Sequence, residues 1–418
     1  MRGRLLSGAI SVAIIASAAT SAIADETVPS GDFALTGCRV IPGEGDVIED
    51  AAVVVQDGKI VTVGKRSDVE IPRGVQVVDA AGKVLTPAFV HAGTRLGLRG
   101  SGGGGSTTID PVKTVIDELN PWLDGNRWSA SNGFGTLGLI PGTGMIGGVG
   151  AAVRSAADDV ESMVRREKTL LRVDVTPGAR FISTLAGQLS IARKDLDKHE
   201  KWKRDHAKWE TDKKTAEAAK KKLPKEPKEP TLSESRASYH SVLRGEMALY
   251  CRVSSSADVT SLAEALADER VRGDDLRLYC LVVGSAYRGA DELLDLGATC
   301  VVSAAMTSWP GTNQTICPAV YLRNAGLPVV LIPRSDSRAG LLNYTVDIAS
   351  VVEAGFPVHE AWAAVTSGPA DLLGVGDVAG RIAKDHHADL VLWDGDPLLP
   401  TTRIERVWIA GEPVEDAR

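Results

Sequence analysis

The sequence is poor in the residues that build metal centres. Its 418 residues include seven histidines and five cysteines, and none of them stands in an H-x-H, H-x-x-x-H or C-x-x-C spacing. A metal centre built from one local motif is therefore excluded. An excess of basic residues is also lacking, because 47 lysines and arginines face 54 acidic residues. The formal charge of -7 predicts that nucleic acid is not a partner.

Long apolar runs are missing as well. Beyond the N-terminus, no window reaches the roughly 18 apolar residues of a membrane-spanning helix, so we expect no stable membrane insertion. The N-terminus carries Arg2 and Arg4, then an apolar stretch over residues 5–19 and the small-residue sequence A-I-A at 22–24. This arrangement predicts a bacterial-type signal peptide over residues 1–24, and hence an exported protein, periplasmic or secreted.

The cysteines are too few for the fold to depend on disulfide bonds. Export permits disulfides, but five is an odd number, and a chain of this length can bury a large core without them. We therefore predict that most of the cysteines are small buried hydrophobic residues.

Both ends of the chain have the texture of short strands with turns. Near the N-terminus, two β-branched runs at 51–55 and 60–64 flank Asp57-Gly58, a strong hairpin signal. Near the C-terminus, residues 388–393 read as another strand. We predict one small β-sandwich domain composed of both ends, residues 25–86 together with 376–418.

The middle of the chain alternates between apolar strands and helical stretches. Continuous apolar runs at 136–140, 278–283 and 328–332 are typical of strands buried on both faces of a parallel sheet. The length and alternation predict an α/β fold, a (β/α)8 TIM barrel over residues 87–375.

One segment, about 188–232, does not fit the barrel. It is lysine-rich, begins as a helix and ends in Lys-Pro repeats at 223–230 that read as an extended linker. Two histidines and two tryptophans form a stripe along the helix at alternating three- and four-residue spacings. The stripe consists of His199, Trp202, His206 and Trp209. It either packs on a return helix near 239–243, which we favour, or docks onto another subunit.

The stretch VVDAAGKVLTPAFVHAGTRLGL at 77–98 resembles the entry into the barrel of the amidohydrolase superfamily. The later stretches AGLPVVLIPRSDS, VVEAGFPVHEAWAAVTSGPADLLGV and GRIAKDHHADLVLWDGDP resemble the last barrel strand, the last helices and the return to the β domain. The resemblance covers nearly the whole mature chain. It is nearest to imidazolonepropionase-like and dihydroorotase-like members, and to a secreted bacterial subgroup with a similar glycine loop.

This resemblance implies hydrolysis of non-peptide C–N bonds with zinc or another divalent metal. In active members two histidines of a D-x-H-x-H motif, a lysine, two later histidines and an aspartate form the site. The metal lowers the pKa of its bound water to about 7.

The corresponding positions of this sequence do not hold metal ligands. The motif aspartate corresponds to His91, and its two histidines correspond to Gly93 and Arg95. The lysine corresponds to Arg172 and the next histidine to Arg252. The last histidine falls near Val283, and only the acid survives, as Asp336. We therefore expect neither a metal nor another cofactor, because glycine has no donor atom and arginine is a permanent cation.

Two alternatives remain open for the substituted site. The arginines and Asp336 either form an internal salt-bridge plug in the former cavity or, with His91, bind a small anionic ligand. We weigh the plug slightly above the ligand site.

The other motifs in the sequence are weaker indications of function. The G-x-G-x-x-G at 142–147 is better explained as the glycine loop of the resembled family, and residues 100–106 read as a flexible loop. His386-His387 reads as a surface turn, Asp389 as a structural residue, and Ser335 has no histidine placed to activate it.

Two functions follow. The first is a non-catalytic homologue, a structural or regulatory partner of a paralogous amidohydrolase subunit or a homo-oligomer, or an anion-binding protein. The second is an active hydrolase of amides or cyclic amides, with a rewired or metal-independent site centred on Asp336.

Overall fold

A computed structural model describes residues 30–100, 107–268, 275–309 and 311–415. The predicted signal peptide and most of the glycine-rich run at 100–106 lie outside these residues. No helix in the described ranges is both long and apolar enough to cross a bilayer. The described residues form a mixed α/β fold with two large sheets.

The first sheet joins the two ends of the chain. Its eight strands are β1 (Phe33–Val40), β2 (Ile48–Gln56), β3 (Lys59–Lys65), β4 (Gln76–Asp79), β5 (Val84–Pro87), β16 (Leu390–Trp393), β17 (Ile404–Ile409) and β18 (Glu412–Pro413). The predicted hairpin is present between β2 and β3, where Asp57 and Gly58 both adopt positive φ. The two ends meet where β5 pairs antiparallel with β16, and Phe33 stacks on Trp408 with ring centroids 5.3 Å apart.

The second sheet curls into a nearly closed barrel. Its eight strands are β6 (Phe89–Thr94), β7 (Phe134–Leu139), β8 (Ile146–Arg154), β9 (Val164–Asp174), β10 (Ala248–Val253), β11 (Leu278–Val282), β12 (Thr299–Ser303) and β15 (Val329–Ile332). The strands are hydrogen-bonded in chain order, and β15 returns to lie beside β6. A small hairpin separates the last two strands: β13 (Thr307–Ser308) and β14 (Thr315–Ile316).

One strand of the barrel departs from the predicted all-parallel (β/α)8 pattern. β8 runs antiparallel to both β7 and β9. The reason is the length of the connection: only residues 140–145 join β7 to β8, whereas a parallel crossover needs about a dozen residues or more. The predicted glycine loop is therefore the turn at which the chain reverses direction between β7 and β8.

Eleven α-helices in the described residues complete the fold. They are α1 (Asp124–Ser131), α2 (Val160–Met163), α3 (Ala179–Ala218), α4 (Ala237–Leu243), α5 (Ser256–Ala265), α6 (Ala290–Asp295), α7 (Pro318–Asn324), α8 (Arg338–Leu342), α9 (Tyr344–Glu353), α10 (Val358–Val365) and α11 (Ser367–Leu373). α11 packs against the residues inside the barrel. Arg166, near the start of β9, donates to the carbonyl of Gly374 at 2.8 Å. This end of the barrel is therefore closed, and the carboxyl ends of the strands form its mouth.

Side chains alternate between the inside and the outside of the barrel. On β10, Ala248 and Tyr250 belong to the interior cluster, whereas Leu249 and Cys251 pack outward under the helices. All five cysteines are free and buried, which confirms the prediction that they act as small apolar residues. The alternation places every second residue of a strand end at the mouth.

The lysine-rich segment is an extension of the helix that follows β9. α3 is 40 residues long, and its buried residues all lie in its first half, the last of them being Leu196. The second half projects from the barrel as an arm. The helix itself begins before the predicted insertion of about 188–232, at Ala179, and its first half is a packed helix of the barrel.

The His/Trp stripe pairs with the Lys-Pro repeats. The indole nitrogens of Trp202 and Trp209 donate to the carbonyls of Pro227 at 3.1 Å and Pro224 at 2.9 Å. In register with them, His199 lies 3.4 Å from Glu229 and His206 lies 3.5 Å from Glu226. The stripe repeats every seven helical residues, a rise of about 10.5 Å. The K-E-P segment repeats every three extended residues, a rise of about 9.3 Å. The two repeats are similar in length, so successive residues of the stripe meet successive triplets.

This pairing corrects the predicted partner of the stripe. The stripe packs within its own arm, as favoured, but against residues 224–229 rather than the helix near 239–243. That helix, α4, packs instead at the base of α3, where His240 lies 3.8 Å from Asp195. The Lys-Pro segment is extended as predicted, yet it is bound to the helix along its length.

Replacing Trp202 and Trp209 by alanine should release the Lys-Pro segment without loosening the barrel. A lysine-specific protease should then cleave after Lys225 and Lys228 much faster, while the thermal midpoint of the remainder changes little. Lys208→Ala, on the exposed face of the same helix, is the matched control and should be cleaved like the parent. Equal cleavage of all three proteins would show that the indoles do not hold the segment.

Candidate functional site at the barrel mouth

The structure places the predicted site residues at one end of the barrel. Arg95 follows β6, Arg172 and Arg252 lie near the ends of β9 and β10, and Asp336 follows β15. Because these strands are parallel, their carboxyl ends converge at the mouth. His91 lies deeper on β6, and 1% of its surface is exposed.

Tyr250 fills the space above Gly93. A Cβ atom built on Gly93 would lie 2.5 Å from the hydroxyl oxygen of Tyr250 and 3.3 Å from its Cζ. A real Cβ does not approach an oxygen so closely, so any side chain at position 93 would have to displace the tyrosine ring. The room that a histidine would need at this position is therefore occupied.

The hydroxyl of Tyr250 is fully buried and has no hydrogen-bond partner among the described residues. Burial raises the pKa of Tyr250, so the phenol stays protonated. An unsatisfied buried hydroxyl costs about 1–3 kcal/mol. The close packing of the tyrosine ring offsets this cost.

Asp336 is held by groups from β6. Its Oδ2 accepts from the Thr94 hydroxyl at 2.7 Å and from the backbone N–H of Arg95 at 3.1 Å. Its Oδ1 lies 3.2 Å from Nε2 of His91, a short but poorly aligned contact. Burial alone would raise the pKa of Asp336, but the His91 contact and the two hydrogen bonds outweigh it and lower the pKa from 3.8 to about 2.

Arg95 is neutralised by a glutamate that the sequence did not single out. Its guanidinium donates to Glu118 at 3.1 Å and to the carbonyl of Ile140 at 3.2 Å. Lys113 lies 2.8 Å from the other oxygen of Glu118. Burial raises the pKa of Glu118, but the hydrogen bonds from Lys113 and Arg95 more than offset this and lower it below 4.5.

Arg172 is neutralised by its neighbour on the same face of β9. It donates from Nε and Nη2 to the carboxylate of Asp174, at 3.0 and 3.3 Å, and from Nη1 to the carbonyl of Pro141 at 2.7 Å. Asp174 also accepts from the backbone N–H of Gly144 at 3.1 Å. The buried Arg172 therefore fastens the glycine loop across the mouth.

Arg252 is the third arginine, and its partner is a hydroxyl. It donates to Ser254 at 3.0 Å, and it sits beside Asp174 in the register of β9 and β10. The three arginines thus have three separate partners. Asp336 pairs with none of their guanidinium groups, contrary to the suggestion that it might; its contact with Arg95 is through the backbone.

Three site residues were missed by the sequence reasoning: Glu118, Asp174 and Tyr250. Two of them carried a signal, because Asp174 and Tyr250 each stand two residues from a recognised arginine and so face the same way. Glu118 carried none, since it lies in an irregular connection without a period. Val283, the position of the last family histidine, follows β11 and offers no side-chain donor.

The residues at the mouth do not fit a metal. Within the described ranges, no group of three or more histidine, cysteine, aspartate or glutamate side chains could hold an ion. Catalytic zinc takes three protein ligands. At the mouth His91 and Asp336 already face each other, and the other two carboxylates, Glu118 and Asp174, are paired with arginines. Arg95 and Arg172 at the mouth are themselves cations and repel a divalent cation.

His387 and Asp389 lie at the closed end of the barrel. The Arg165 guanidinium donates to Asp389 and lies 2.5 Å from Nδ1 of His387. Burial and the charge of Arg165 lower the pKa of His387 to about 4. His386 and His387 are both half-buried, so the predicted surface turn is partly covered. Asp389 is structural as predicted, since its pair with Arg165 joins the barrel to the terminal sheet.

Comparison with known proteins finds similarity in sequence near the C-terminal end of the chain. Residues 343–415 match the model of the amidohydrolase family. A 57-residue stretch is 47% identical to amidohydrolase tasK of Hapsidospora irregularis, and the match covers 14% of this chain and 6% of that relative. The chain thus corresponds to only a small part of that protein.

Solved structures extend the likeness to the whole fold. An amidohydrolase from Thermotoga maritima MSB8 superposes with a TM-score of 0.68 at 21% identity, over 92% of this chain and 99% of that one. A molinate hydrolase superposes with a TM-score of 0.54 at 15% identity, over 93% and 95% of the two chains. The chain thus has the fold of these hydrolases over nearly its whole length, and its similarity in sequence to the amidohydrolase family lies in residues 343–415.

Gly93→Ala should destabilise the protein by about 1–3 kcal/mol, the usual cost of overpacking. The cost should fall in a Tyr250→Phe background, because the phenylalanine lacks the oxygen that the new methyl meets. Denaturant unfolding of both single variants and the double variant measures this coupling. Gly187→Ala, at a helical glycine with open space around it, is the control and should be neutral or stabilising. Additive effects of the two substitutions would contradict the contact.

Asp336→Asn should destabilise the protein at neutral pH and progressively less in acid. The folded-state pKa of Asp336 lies below its ordinary value, so its stabilising effect is present above about pH 4 and is lost as the pH falls toward 2. Urea unfolding of both proteins between pH 5 and pH 2 should show the gap closing. Asp117→Asn removes an exposed carboxylate and serves as control. A gap that stays constant with pH would contradict this account.

Proposed function

We propose that this chain is a non-catalytic member of the amidohydrolase superfamily, with a barrel mouth closed by its own side chains. The observation that carries the proposal is the contact between Tyr250 and the Gly93 position, 2.5 Å from its hydroxyl to a Cβ there. The first metal histidine of the family motif would have to occupy that volume. The protein would then act as a structural or regulatory subunit.

The partners of the arginines favour a plug over an anion site at the mouth. Arg95 and Arg172 each have a carboxylate partner at 3.1 Å or less. Buried charges are tolerated when they are paired and hydrogen-bonded, and a guanidinium already engaged with a carboxylate has less to offer a ligand. The network of Arg95, Glu118, Arg172 and Asp174 supports the first of the two alternatives that the sequence left open.

The alternative is a hydrolase of amides or cyclic amides centred on Asp336. The feature in its favour is a carboxylate that remains 41% exposed at the mouth and is held by the Thr94 hydroxyl and the backbone N–H of Arg95. Its pKa of about 2 weighs against it, because a general base works best when its pKa lies near the working pH. No other group at the mouth supplies an activated nucleophile within the described residues.

The remaining parts of the proposal concern the setting of the protein. We infer export through the signal peptide over residues 1–24, to the periplasm or the medium. The sheet built from both ends is proposed as the β-sandwich of the family, residues 25–86 with 376–418, around a barrel at 87–375. A paralogous amidohydrolase or a second copy is the proposed partner.

Metal content and hydrolysis test the proposed function together. The mature protein, purified from cells grown with added zinc, should contain far less than one divalent metal per chain. It should also leave dihydropyrimidines, hydantoins and N-acyl amino acids intact. Stoichiometric metal would overturn the proposal. Hydrolysis without metal that is abolished by Asp336→Ala and retained by Asp117→Ala would establish the alternative.

A further inference from the structure

A cleft lies at the closed end of the barrel, opposite the mouth. It has a volume of about 810 Å³ and separates the base of the barrel from the last two strands of the terminal sheet. Its walls are α1 with the preceding Trp122, the end of β8 with the turn after it, and residues 409–415. Ligand clefts in proteins commonly have about 300–1,000 Å³, so this space is large enough for a small organic molecule.

Arg154 is the least exposed of the charged residues that line the cleft, and it forms no ion pair with any described residue. Its side chain is partly buried at the end of β8. Among the described residues, no carboxylate lies within salt-bridge distance of its guanidinium, and none forms a hydrogen bond with that group. A partly buried guanidinium without an acceptor is unusual, since its desolvation is then uncompensated.

The nearest buried carboxylate is already committed. Asp389 pairs with Arg165, and its second oxygen accepts from the backbone N–H of Ala410 at 2.9 Å. The charge of Arg154 acts on both Arg165 and His387 and disfavours their protonated forms. Arg165 is thus paired with this carboxylate, whereas Arg154, which lines the cleft, forms no ion pair with a described residue.

The rim adds a second cation and a flat apolar surface. Arg127 is exposed on α1 above Arg154. Trp122 is 74% exposed, although tryptophan is usually mostly buried. The acidic groups of the lining, Asp158, Glu412 and Glu415, are exposed to solvent. Solvated carboxylates at a rim screen a buried cation only weakly, because water surrounds them.

We propose that this cleft binds a small organic anion, a carboxylate or phosphate that carries a flat apolar group. The guanidinium of Arg154 takes the anionic head in a bidentate contact, assisted by Arg127, and the apolar group stacks on Trp122. The site is separate from the barrel mouth and goes beyond the proposed function, since it requires neither metal nor catalysis. It gives a non-catalytic barrel a ligand through which it can be regulated.

Titration calorimetry of the full chain with benzoate, phenyl phosphate and inorganic phosphate tests the site. Benzoate and phenyl phosphate should each bind once per chain. Arg154→Gln should weaken both by at least about tenfold, the effect of losing about 1.4 kcal/mol. Trp122→Ala should weaken the aromatic probes and leave inorganic phosphate unchanged. Arg73→Gln removes an exposed charge from a loop outside the cleft and should bind like the parent.

Two results would overturn the proposal. One is the absence of saturable binding of either aromatic probe at millimolar concentration. The other is an equal loss of affinity in Arg73→Gln and Arg154→Gln, which would indicate unspecific attraction to charge. Should Arg154→Gln fail to fold, the parent protein still decides the question. The indole N–H resonance of Trp122 should shift on addition of benzoate, and no shift would count against the site.

Discussion

Tyr250 and Gly93 share one small volume at the barrel mouth, and the rest of the site is arranged around their contact. A ring from β10 reaches across the barrel to a strand position that carries no side chain. Close packing allows one of the two positions to be large. With the tyrosine in place, no side chain at position 93 can reach toward a metal, and the neighbouring positions are free to carry arginines.

The charges at the mouth follow from the same constraint. Arginines inside a barrel need partners, and the chain supplies Glu118 from a connection and Asp174 from the same strand. Asp336 lies against His91 and Thr94 on β6. These contacts tie the loop that follows β15 to β6, and the glycine loop to β9.

Local patterns in the sequence predicted a large part of this structure. The Asp57-Gly58 hairpin, the terminal strands and the barrel strands follow from turn chemistry and apolar runs. The placement of Arg172 and Arg252 at strand ends follows from the family motif. The antiparallel β8 was also within reach, because the six residues between β7 and β8 are too few for a crossover.

The rest depends on contacts between distant segments. The local sequence ALYCRV does not show that Tyr250 contacts Gly93 on another strand. The sequence around Glu118 likewise does not show that this residue pairs with Arg95. The pairing of the helical stripe with the K-E-P repeats could be predicted only in part. Both periods are visible in the sequence, but their match appears only when an α-helix and an extended strand are laid side by side.

The central claim is that the protein has exchanged its metal site for a packed tyrosine. A crystal of the mature protein soaked in zinc, with diffraction recorded at the zinc edge, tests this most directly. The account predicts no anomalous peak at the barrel mouth, and the hydroxyl of Tyr250 within van der Waals contact of Gly93. A peak coordinated by His91 and Asp336, with the tyrosine ring displaced, would contradict it.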